Sequence, residues 1–389
     1  MQELLLLLLP IAAASGWLAA RRSERKQQKA CVGEAGPVYF RGLNHLLNEE
    51  PDKAIDAFVE MLEVDSDTVE THLALGNLFR RRGEVERAIR IHQNLIARPA
   101  LTREQRAQAL LELGQDYMRA GLFDRAENLF RELKETKLHV RPALKHLLVI
   151  YEKERDWQSC LDTADQLESL TGEKLALQKS HYHCELALEA EAKGRGSDAA
   201  ACLKKAIAAY RDCVRASHLQ ARLAADQGDY RAAVRILRET AERDAEYLPE
   251  VLPEIVFAYR QLGDTEGLRA FLDDSVAAHP GGPAVIAMAD LLKEQEGERA
   301  AADFLAAQLS RAPSLGLLLS SIDLNTRLQE SQSERFLETL RPYIHRLVEE
   351  RPVYQCGHCG FEAKTLHWQC PSCRYWSSIK RKRDTETDA

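Results

Sequence analysis

The chain has 389 residues, a formal net charge of −7 and an aromatic content of only 6%. It is too long for one compact core but long enough for several domains or an extended array. A composition rich in Ala, Leu, Glu and Arg favours stacked helices over a β-sandwich or barrel. Acidic and basic residues are interspersed, so the chain lacks the basic stripe of a nucleic-acid-binding protein.

The first elements are an apolar run and a basic flank. Residues 4–20 carry no charge and as a helix would span roughly 26 Å, near the lower limit for crossing a bilayer. A cleaved signal peptide is the alternative, but its positive charge precedes the apolar run. Here Glu3 precedes it, and Arg21, Arg22 and three further basic residues follow. We therefore predict a single-pass anchor at 1–20 with its N-terminus outside, and a basic juxtamembrane segment and linker at 21–38.

Two similar stretches, 76–92 and 114–130, follow the linker. In each, apolar residues at helical spacing stop at a glycine and then resume, which predicts a helix, a tight turn and a second helix. Gly76 precedes Ala88 by twelve positions, as Gly114 precedes Ala126. Small residues at these positions let two helices cross closely. Both stretches resemble the tetratricopeptide repeat, a helix-turn-helix unit of about 34 residues.

The same pattern predicts a repeat array over 39–350. The expected interhelix turns lie at Glu49, Gly83, Gly121, Arg155, Gly196, Gly228, Gly263 and Gly297. Five residues later, the expected close-contact positions are Ala54, Ala88, Ala126, Cys160, Ala201, Ala233, Leu268 and Ala302. The resulting fold class is all-α: a tetratricopeptide-repeat superhelix with an N-terminal transmembrane helix and a small C-terminal metal ribbon.

The resemblance to tetratricopeptide repeats implies a concave groove that binds extended peptides or partner helices. It places Asn77, Arg80, Arg81, Gln115 and Arg119 near that groove as candidate partner contacts. The cluster at 181–183, His-Tyr-His, has no second cluster to complete a metal site, so we expect a half-buried helix face. No nucleophile, metalloprotease or phosphate-loop motif is present, and we predict that the chain is not an enzyme.

Two Cys-x-x-Cys pairs, Cys356/Cys359 and Cys370/Cys373, stand where the helical period stops. Two such loops supply four thiolates, the tetrahedral ligand set of a structural iron or zinc ion. Redox-active dithiols or disulfides are the alternative; a thioredoxin-type site would need a βαβ context that is absent here, and disulfides would contradict a cytoplasmic location. The pairs resemble rubredoxin knuckles, although their spacer is shorter and Arg374 replaces the usual glycine.

We therefore expect a small structural module at 351–380, followed by a charged tail at 381–389. A module of this size has little core of its own. Its five aromatic residues are expected to pack round the metal and dock onto the last repeats: Tyr354, Phe361, Trp368, Tyr375 and Trp376.

The order of anchor, repeats and rubredoxin-like knuckles resembles the LapB/YciM family of lipopolysaccharide assembly proteins from Gram-negative bacteria. The resemblance implies an inner-membrane adaptor, N-terminus periplasmic and bulk cytoplasmic, that promotes degradation of the deacetylase LpxC by the protease FtsH. It further implies opposition by the inner-membrane protein YejM (PbgA). Lipopolysaccharide itself and a second copy of the chain are additional candidate partners.

Two other functions remain open at the sequence level. A structural scaffold for envelope-assembly enzymes needs the same anchor, array and knuckles as an adaptor. A rubredoxin-like electron carrier would require an iron centre that cycles between oxidation states.

Overall fold

A computed structural model describes residues 36–382, apart from positions 49, 51–52, 55–56, 58–68, 281, 313, 329–340, 343–344, 346–348 and 350. The predicted anchor, the turn at Glu49 and nearly all of the charged tail lie outside this part of the chain. Within it, no helix combines the length and the apolar character that crossing a bilayer requires. The first helix begins at Gly36, so the last three residues of the predicted linker are helical.

The chain forms two compact units, 1–173 and 174–389. The helices of the first unit are α1 Gly36–Leu47, α2 Val69–Arg82, α3 Val85–Ile96, α4 Arg103–Arg119, α5 Phe123–Glu135, α6 Val140–Glu154 and α7 Trp157–Thr171. Neighbouring helices from α2 to α7 pack side by side, and the first helix of each repeat also touches the first helix of the next. This is the contact pattern of stacked helical hairpins.

The second unit continues the hairpin pattern and ends in a small sheet. Its helices are α8 Ala176–Ala192, α9 Gly196–Ala209, α10 Val214–Asp226, α11 Tyr230–Arg243, α12 Leu248–Leu262, α13 Thr265–Ala278, α14 Pro283–Glu296, α15 Glu298–Arg311 and α16 Leu315–Leu328. A 3-10 turn, Ala245–Tyr247, precedes α12. The strands are β1 Tyr354–Cys356, β2 Glu362–Ala363 and β3 Ile379–Arg381.

The turns inside the hairpins confirm the repeat pattern in all but one of the units that can be compared. Backbone in the left-handed region marks the turns at Gly83, Gly121, Arg155, Gly194, Gly228, Gly263 and Gly297. The predicted turn at Gly196 is wrong by two residues, because Gly196 is already the first residue of α9. Ala199, only 1% exposed, therefore takes the close-contact position, and Ala201 is exposed.

Close helix crossing explains the small residues. A Cβ atom added to Gly114 would lie 2.6 Å from Cε1 of Phe130, a side chain that is completely buried. The close-contact residues Ala88, Ala126, Cys160 and Ala233 are likewise buried. Leu268, the one large residue at this position, is also buried. The helices thus approach where the sequence supplies little side-chain volume.

Helix starts are set by short polar side chains. Asp156, Asp229 and Asp264 each follow a turn residue and accept a backbone N–H from the first turn of the next helix, at 2.9–3.1 Å. Thr102 and Gln105 form a reciprocal capping box at the start of α4. These caps satisfy N–H groups that have no partner inside the helix.

Candidate metal centre and the repeat surface that holds it

A three-stranded antiparallel sheet with the order β2-β1-β3 carries the cysteine pairs. Tyr354 of β1 faces Ala363 of β2, and Cys356 faces Ile379 of β3. Cys356 closes β1, and the second pair lies in the loop between β2 and β3. The sheet thereby brings the two Cys-x-x-Cys loops, fourteen residues apart in sequence, to one end of the ribbon.

The two loops are equivalent knuckles. The N–H of Gly360 donates to the carbonyl of Cys356 at 2.9 Å, and the N–H of Arg374 donates to that of Cys370 at 2.8 Å. Both donors have left-handed backbone, with φ of 76° at Gly360 and 62° at Arg374. Arg374 thus adopts the conformation that a glycine provides in the first knuckle.

The four sulfur atoms form a compact set, all within 4.8 Å of one another. Cys356 Sγ lies 3.7 Å from Cys373 Sγ, and Cys359 Sγ lies 3.7 Å from Cys370 Sγ. A tetrahedral ion with metal–sulfur bonds of about 2.3 Å places its sulfur ligands about 3.8 Å apart. The predicted ligand set is therefore confirmed as a group whose spacing fits one metal ion.

Hydrogen bonds stabilise thiolates in this group. Burial opposes ionisation of Cys356, but the Ser378 hydroxyl and the N–H groups of Cys359 and His358 lower its pKa to about 6. Burial, together with the neighbouring thiols, raises the pKa of Cys373 to about 12. Four adjacent thiols can all ionise only if a cation neutralises their repulsion. The ribbon therefore suits a structural iron or zinc ion with four protein ligands and no open position.

The ribbon packs against the repeats through aromatic side chains. Trp376 stacks on His181 of α8 at 4.6 Å between ring centroids and meets Tyr182 edge-on at 6.0 Å. His181 Nε2 shares a 2.7 Å hydrogen bond with the hydroxyl of Ser377. Trp368 stacks on Tyr247, in the 3-10 turn before α12, at 5.8 Å.

Polar contacts complete this interface. The hydroxyl of Tyr354 donates to Glu250 of α12 at 2.5 Å, and Lys380 forms an ion pair with Glu246. The guanidinium of Arg215 on α10 lies 5.9 Å from the ring centroid of Trp376. We call His181, Tyr182, Arg215, Tyr247 and Glu250 the ribbon-binding surface. It belongs to α8, α10, the 3-10 turn and α12. The expectation that the aromatic residues dock onto the last repeats is confirmed only in part. Trp368 and Tyr354 contact the seventh of the eight predicted units, through Tyr247 and Glu250. Trp376 contacts the fifth, through His181 and Tyr182.

The sequence predicted the metal ligands, but it did not predict the repeat residues that the ribbon packs against. The predicted half-buried face at 181–183 is buried at His181 and Tyr182, which are both 0% exposed. Burial, together with the nearby Arg215 charge, lowers the pKa of His181 to about 3, so its imidazole is neutral. The unusual aromatic content of the ribbon was the available signal. It indicated that a surface was needed, but not where the surface lies.

The predicted groove residues differ in their contacts within the chain. Arg80 donates to Glu112 at 2.6 Å and to Asp116 at 2.8 Å, and it also contacts Asn77. Asp116 in turn lies 2.5 Å from Nδ1 of His92, and both side chains are fully buried. Arg80 therefore links two repeats through charge-assisted hydrogen bonds.

The remaining predicted contacts differ in exposure. Arg81 and Arg119 are exposed, and Gln115 is half-buried. Their part in partner binding stays a prediction.

The fold and the site define a class: tetratricopeptide-repeat proteins that carry a rubredoxin-like metal module. Models of the tetratricopeptide repeat match residues 71–107 and 184–247, and the rubredoxin metal binding domain matches 354–381. A solved structure, the C-terminal part of a tetratricopeptide-repeat protein from Cytophaga hutchinsonii, covers 64% of this chain and 98% of its own at a TM-score of 0.43 and 12% identity.

Two curated relatives identify the family. Lipopolysaccharide assembly protein B of Escherichia coli strain K12 is 40% identical over 381 residues, which is 98% of each chain. The protein of the same name from Haemophilus influenzae strain Rd is 37% identical over 392 residues, again 98% of each chain. The chain belongs to the lipopolysaccharide assembly protein B family. This finding confirms the resemblance inferred from the sequence.

Proposed function

We propose that the chain is an inner-membrane regulatory adaptor that restrains lipopolysaccharide biosynthesis by promoting degradation of LpxC by FtsH. The observation that carries this proposal is similarity over 98% of the chain to a protein named for lipopolysaccharide assembly. The architecture supports a binding role, because stacked helical hairpins offer an extended surface for protein partners. Catalysis is not part of the proposal.

In this proposal the repeats and the N-terminal segment have different roles. The repeats hold the client, with the exposed Arg81 and Arg119 as contacts, while Arg80 is already committed to Glu112 and Asp116. Residues 1–20 anchor the chain in the inner membrane with a periplasmic N-terminus and a cytoplasmic bulk. Confinement to the membrane raises the effective concentration of the repeats towards a membrane protease. YejM (PbgA) opposes this activity according to lipopolysaccharide supply.

A structural scaffold for lipopolysaccharide-assembly enzymes is the second candidate. It is favoured by the same repeat surface and by the word "assembly" in the relatives' name. The two functions differ in one consequence: only the adaptor changes the lifetime of LpxC.

The test measures the lifetime of LpxC after protein synthesis is blocked, in cells depleted of this protein. We expect a longer lifetime, which the intact chain and a Cys202→Ser chain restore to normal but a Cys356→Ser chain does not. Cys202 lies on α9 and is not one of the four cysteines of the metal group, so it controls for the loss of a thiol. An unchanged lifetime on depletion would favour the scaffold. Full rescue by Cys356→Ser would remove the metal module from the mechanism.

A further inference from the structure

The two most exposed large apolar side chains among the described residues both lie on α1. Leu47 is 80% exposed, and Phe40 is 65% exposed. Other exposed apolar side chains, such as Leu170 on α7 at 53% and Phe257 on α12 at 52%, stand one to a helix. Single exposures of this kind are normal on a protein surface, whereas two on one short helix indicate a contact with something outside the chain.

Phe40 and Leu47 share one side of α1. Residues seven apart in a helix are separated by two turns, which leaves a rotation of only about 20° between them. Asn44, between them in the chain, is exposed, whereas Gly42, on the opposite side of the helix, is buried. The helix therefore has a buried side and an exposed side, and the exposed side carries the apolar pair.

The charges around this exposed side do not repel an anion. α1 contains no Asp or Glu, and its basic residues are Arg41 and His45. Glu50, just after the helix, lies 2.8 Å from His45 and 2.8 Å from Lys53, so its charge is balanced within the chain. A terminal repeat normally has a polar outer surface. The exposed side of α1 instead suits an apolar partner that is neutral or negatively charged at its surface.

The sequence before α1 indicates what that partner is. The uncharged run at 4–20 is separated from the start of α1 by residues 21–35, and residues 21–29 include five basic residues and one acidic residue. Fifteen residues span at most about 50 Å even when fully extended. α1 is therefore held close to any membrane that the anchor enters, and the basic segment favours anionic lipid there.

We propose that the exposed side of α1 lies on the surface of an anionic lipid bilayer, with Phe40 and Leu47 inserted at the boundary between headgroups and acyl chains. Helices that bind a bilayer in this way bury their apolar side chains about 5–10 Å deep. The inference rests on the membrane attachment proposed above. It adds a second contact with the bilayer, which fixes the orientation of the first repeat as well as its distance.

The test uses the full chain reconstituted in vesicles of phosphatidylethanolamine and phosphatidylglycerol. A coumarin amino acid replaces one residue at a time, and a phospholipid brominated in the acyl chain close to its headgroup quenches the fluorophore on contact. We expect strong quenching at positions 40 and 47, and at least about threefold less at positions 53 and 170.

The two comparison positions control for different effects. Lys53 lies six residues after Leu47, and its side chain is 63% exposed, so position 53 measures mere closeness to the membrane. Leu170 is an exposed leucine on another helix, so position 170 measures the affinity of the fluorophore itself for lipid. Equal quenching at positions 47 and 53 would overturn the proposal.

A second measurement asks whether the apolar pair causes the contact. With the fluorophore at position 47, Phe40→Ser should lower the quenching at least about twofold, because it removes half of the apolar contact. Leu122→Ser, which removes a 41% exposed leucine at the start of α5, should leave the quenching unchanged. Equal signals in the two variants would show that Phe40 does not contact lipid.

A fluorophore at position 17, inside the predicted anchor, separates this inference from the proposed attachment. Quenching at position 17 without quenching at positions 40 and 47 would overturn the α1 contact and leave the anchor standing. Quenching at positions 40 and 47 alone would support the α1 contact and contradict the anchor, and quenching at none of the three would contradict both. Shielding of position 47 that grows with the ratio of protein to lipid, without quenching by the lipid, would assign this side of α1 to a second copy of the chain.

Discussion

Gly360 and Arg374 occupy the same position in the two knuckles and share left-handed backbone, yet only one of them is a glycine. The amide at this position donates to the first cysteine carbonyl of its knuckle, so the conformation is part of the ligand loop. An L-residue pays a steric penalty there that glycine avoids. The arginine in the second knuckle means that the ribbon already carries one such penalty.

A Gly360→Ala substitution would add a second penalty. We expect it to weaken metal retention by about 1–2 kcal/mol, because metal binding and folding of the ribbon are coupled. That corresponds to roughly 5–30-fold in competition with a chelator. Gly357→Ala is the control, since its Cβ would only make an ordinary 3.8 Å contact with the Ser378 carbonyl. Equal losses in both variants would show that left-handed backbone is not the cause.

For individual residues, the sequence predicted the site correctly where the residues of that site lie close together in the chain. The spacing of Cys356, Cys359, Cys370 and Cys373 was enough to identify the ligands, because each pair needs only a short loop to point two sulfurs at one ion. Arg80 shows the opposite case. It was expected in a groove but is bound by Glu112 and Asp116, 32 and 36 residues later. Only the three-dimensional stacking of two repeats brings these groups together.

The start of α9 is where the predicted positions of the repeat turns differ from the structure. The segment 194–196, Gly-Arg-Gly, offers two glycines for one turn, and the pattern was assigned to the wrong one. The turn at Gly194 lies 34 residues before the next turn at Gly228, which is the ordinary length of the unit. Periodicity finds helices reliably but fixes their ends to within a few residues only.

The corrected register predicts opposite outcomes for two nearby alanines. Ala199→Leu should overpack α8 against α9 and lower the free energy of unfolding by about 1–3 kcal/mol. Ala201→Leu should change it by no more than about 0.5 kcal/mol, because Ala201 is exposed. Urea unfolding of the two variants checks this. A larger loss for Ala201→Leu would restore the register with the turn at Gly196.

The stability of the contact between α8 and the ribbon should depend on pH, because His181 lies in that contact. When the ribbon is docked, burial holds the pKa of His181 at about 3. When it is released, the imidazole returns to the ordinary value of about 6.5. Above pH 6.5 the group is neutral in both states. As the pH falls towards 3 only the released state binds the proton, so docking weakens by about 1.4 kcal/mol per pH unit.

Tryptophan fluorescence between pH 7.5 and 5 measures this release, because Trp376 becomes exposed to solvent when it no longer stacks on His181. A His181→Gln chain should lose most of the pH dependence. It keeps the same four cysteines, so proton competition for the metal is equal in both proteins. An unchanged pH profile in His181→Gln would assign the effect to the metal site instead.

For the whole molecule, the proposed membrane attachment predicts where a truncated chain is found in the cell. A chain lacking residues 1–20 should move from the membrane fraction to the soluble fraction. Its effect on LpxC lifetime should fall, because the repeats lose their proximity to a membrane protease. Replacing 1–20 with an unrelated N-out transmembrane helix is the control. Failure of that control to restore LpxC turnover would show that the sequence of residues 4–20 matters, and not only attachment.

The position of the ribbon could not be predicted at this scale. Its contacts join Ser377 to His181 and Tyr354 to Glu250, across 196 and 104 residues of chain. Periodicity describes neighbours within a repeat or between adjacent repeats, so it contains no information on such distant pairs. The composition of the ribbon showed that it needs a partner surface. Identifying that surface required the three-dimensional structure.

These long-range contacts change how the C-terminal repeats can fray. In an ordinary repeat array the last repeats have a neighbour on one side only, and fraying starts there. Here the chain leaves α12, passes through α13 to α16 and returns to α12 through the ribbon, so this part of the array is a closed loop held at both ends. The entropy of closing such a loop grows only slowly with its length, by about 0.6 kcal/mol per doubling. A single metal ion, through the ribbon that it folds, therefore tethers the far end of four helices of 14 residues each, α13 to α16, back to α12.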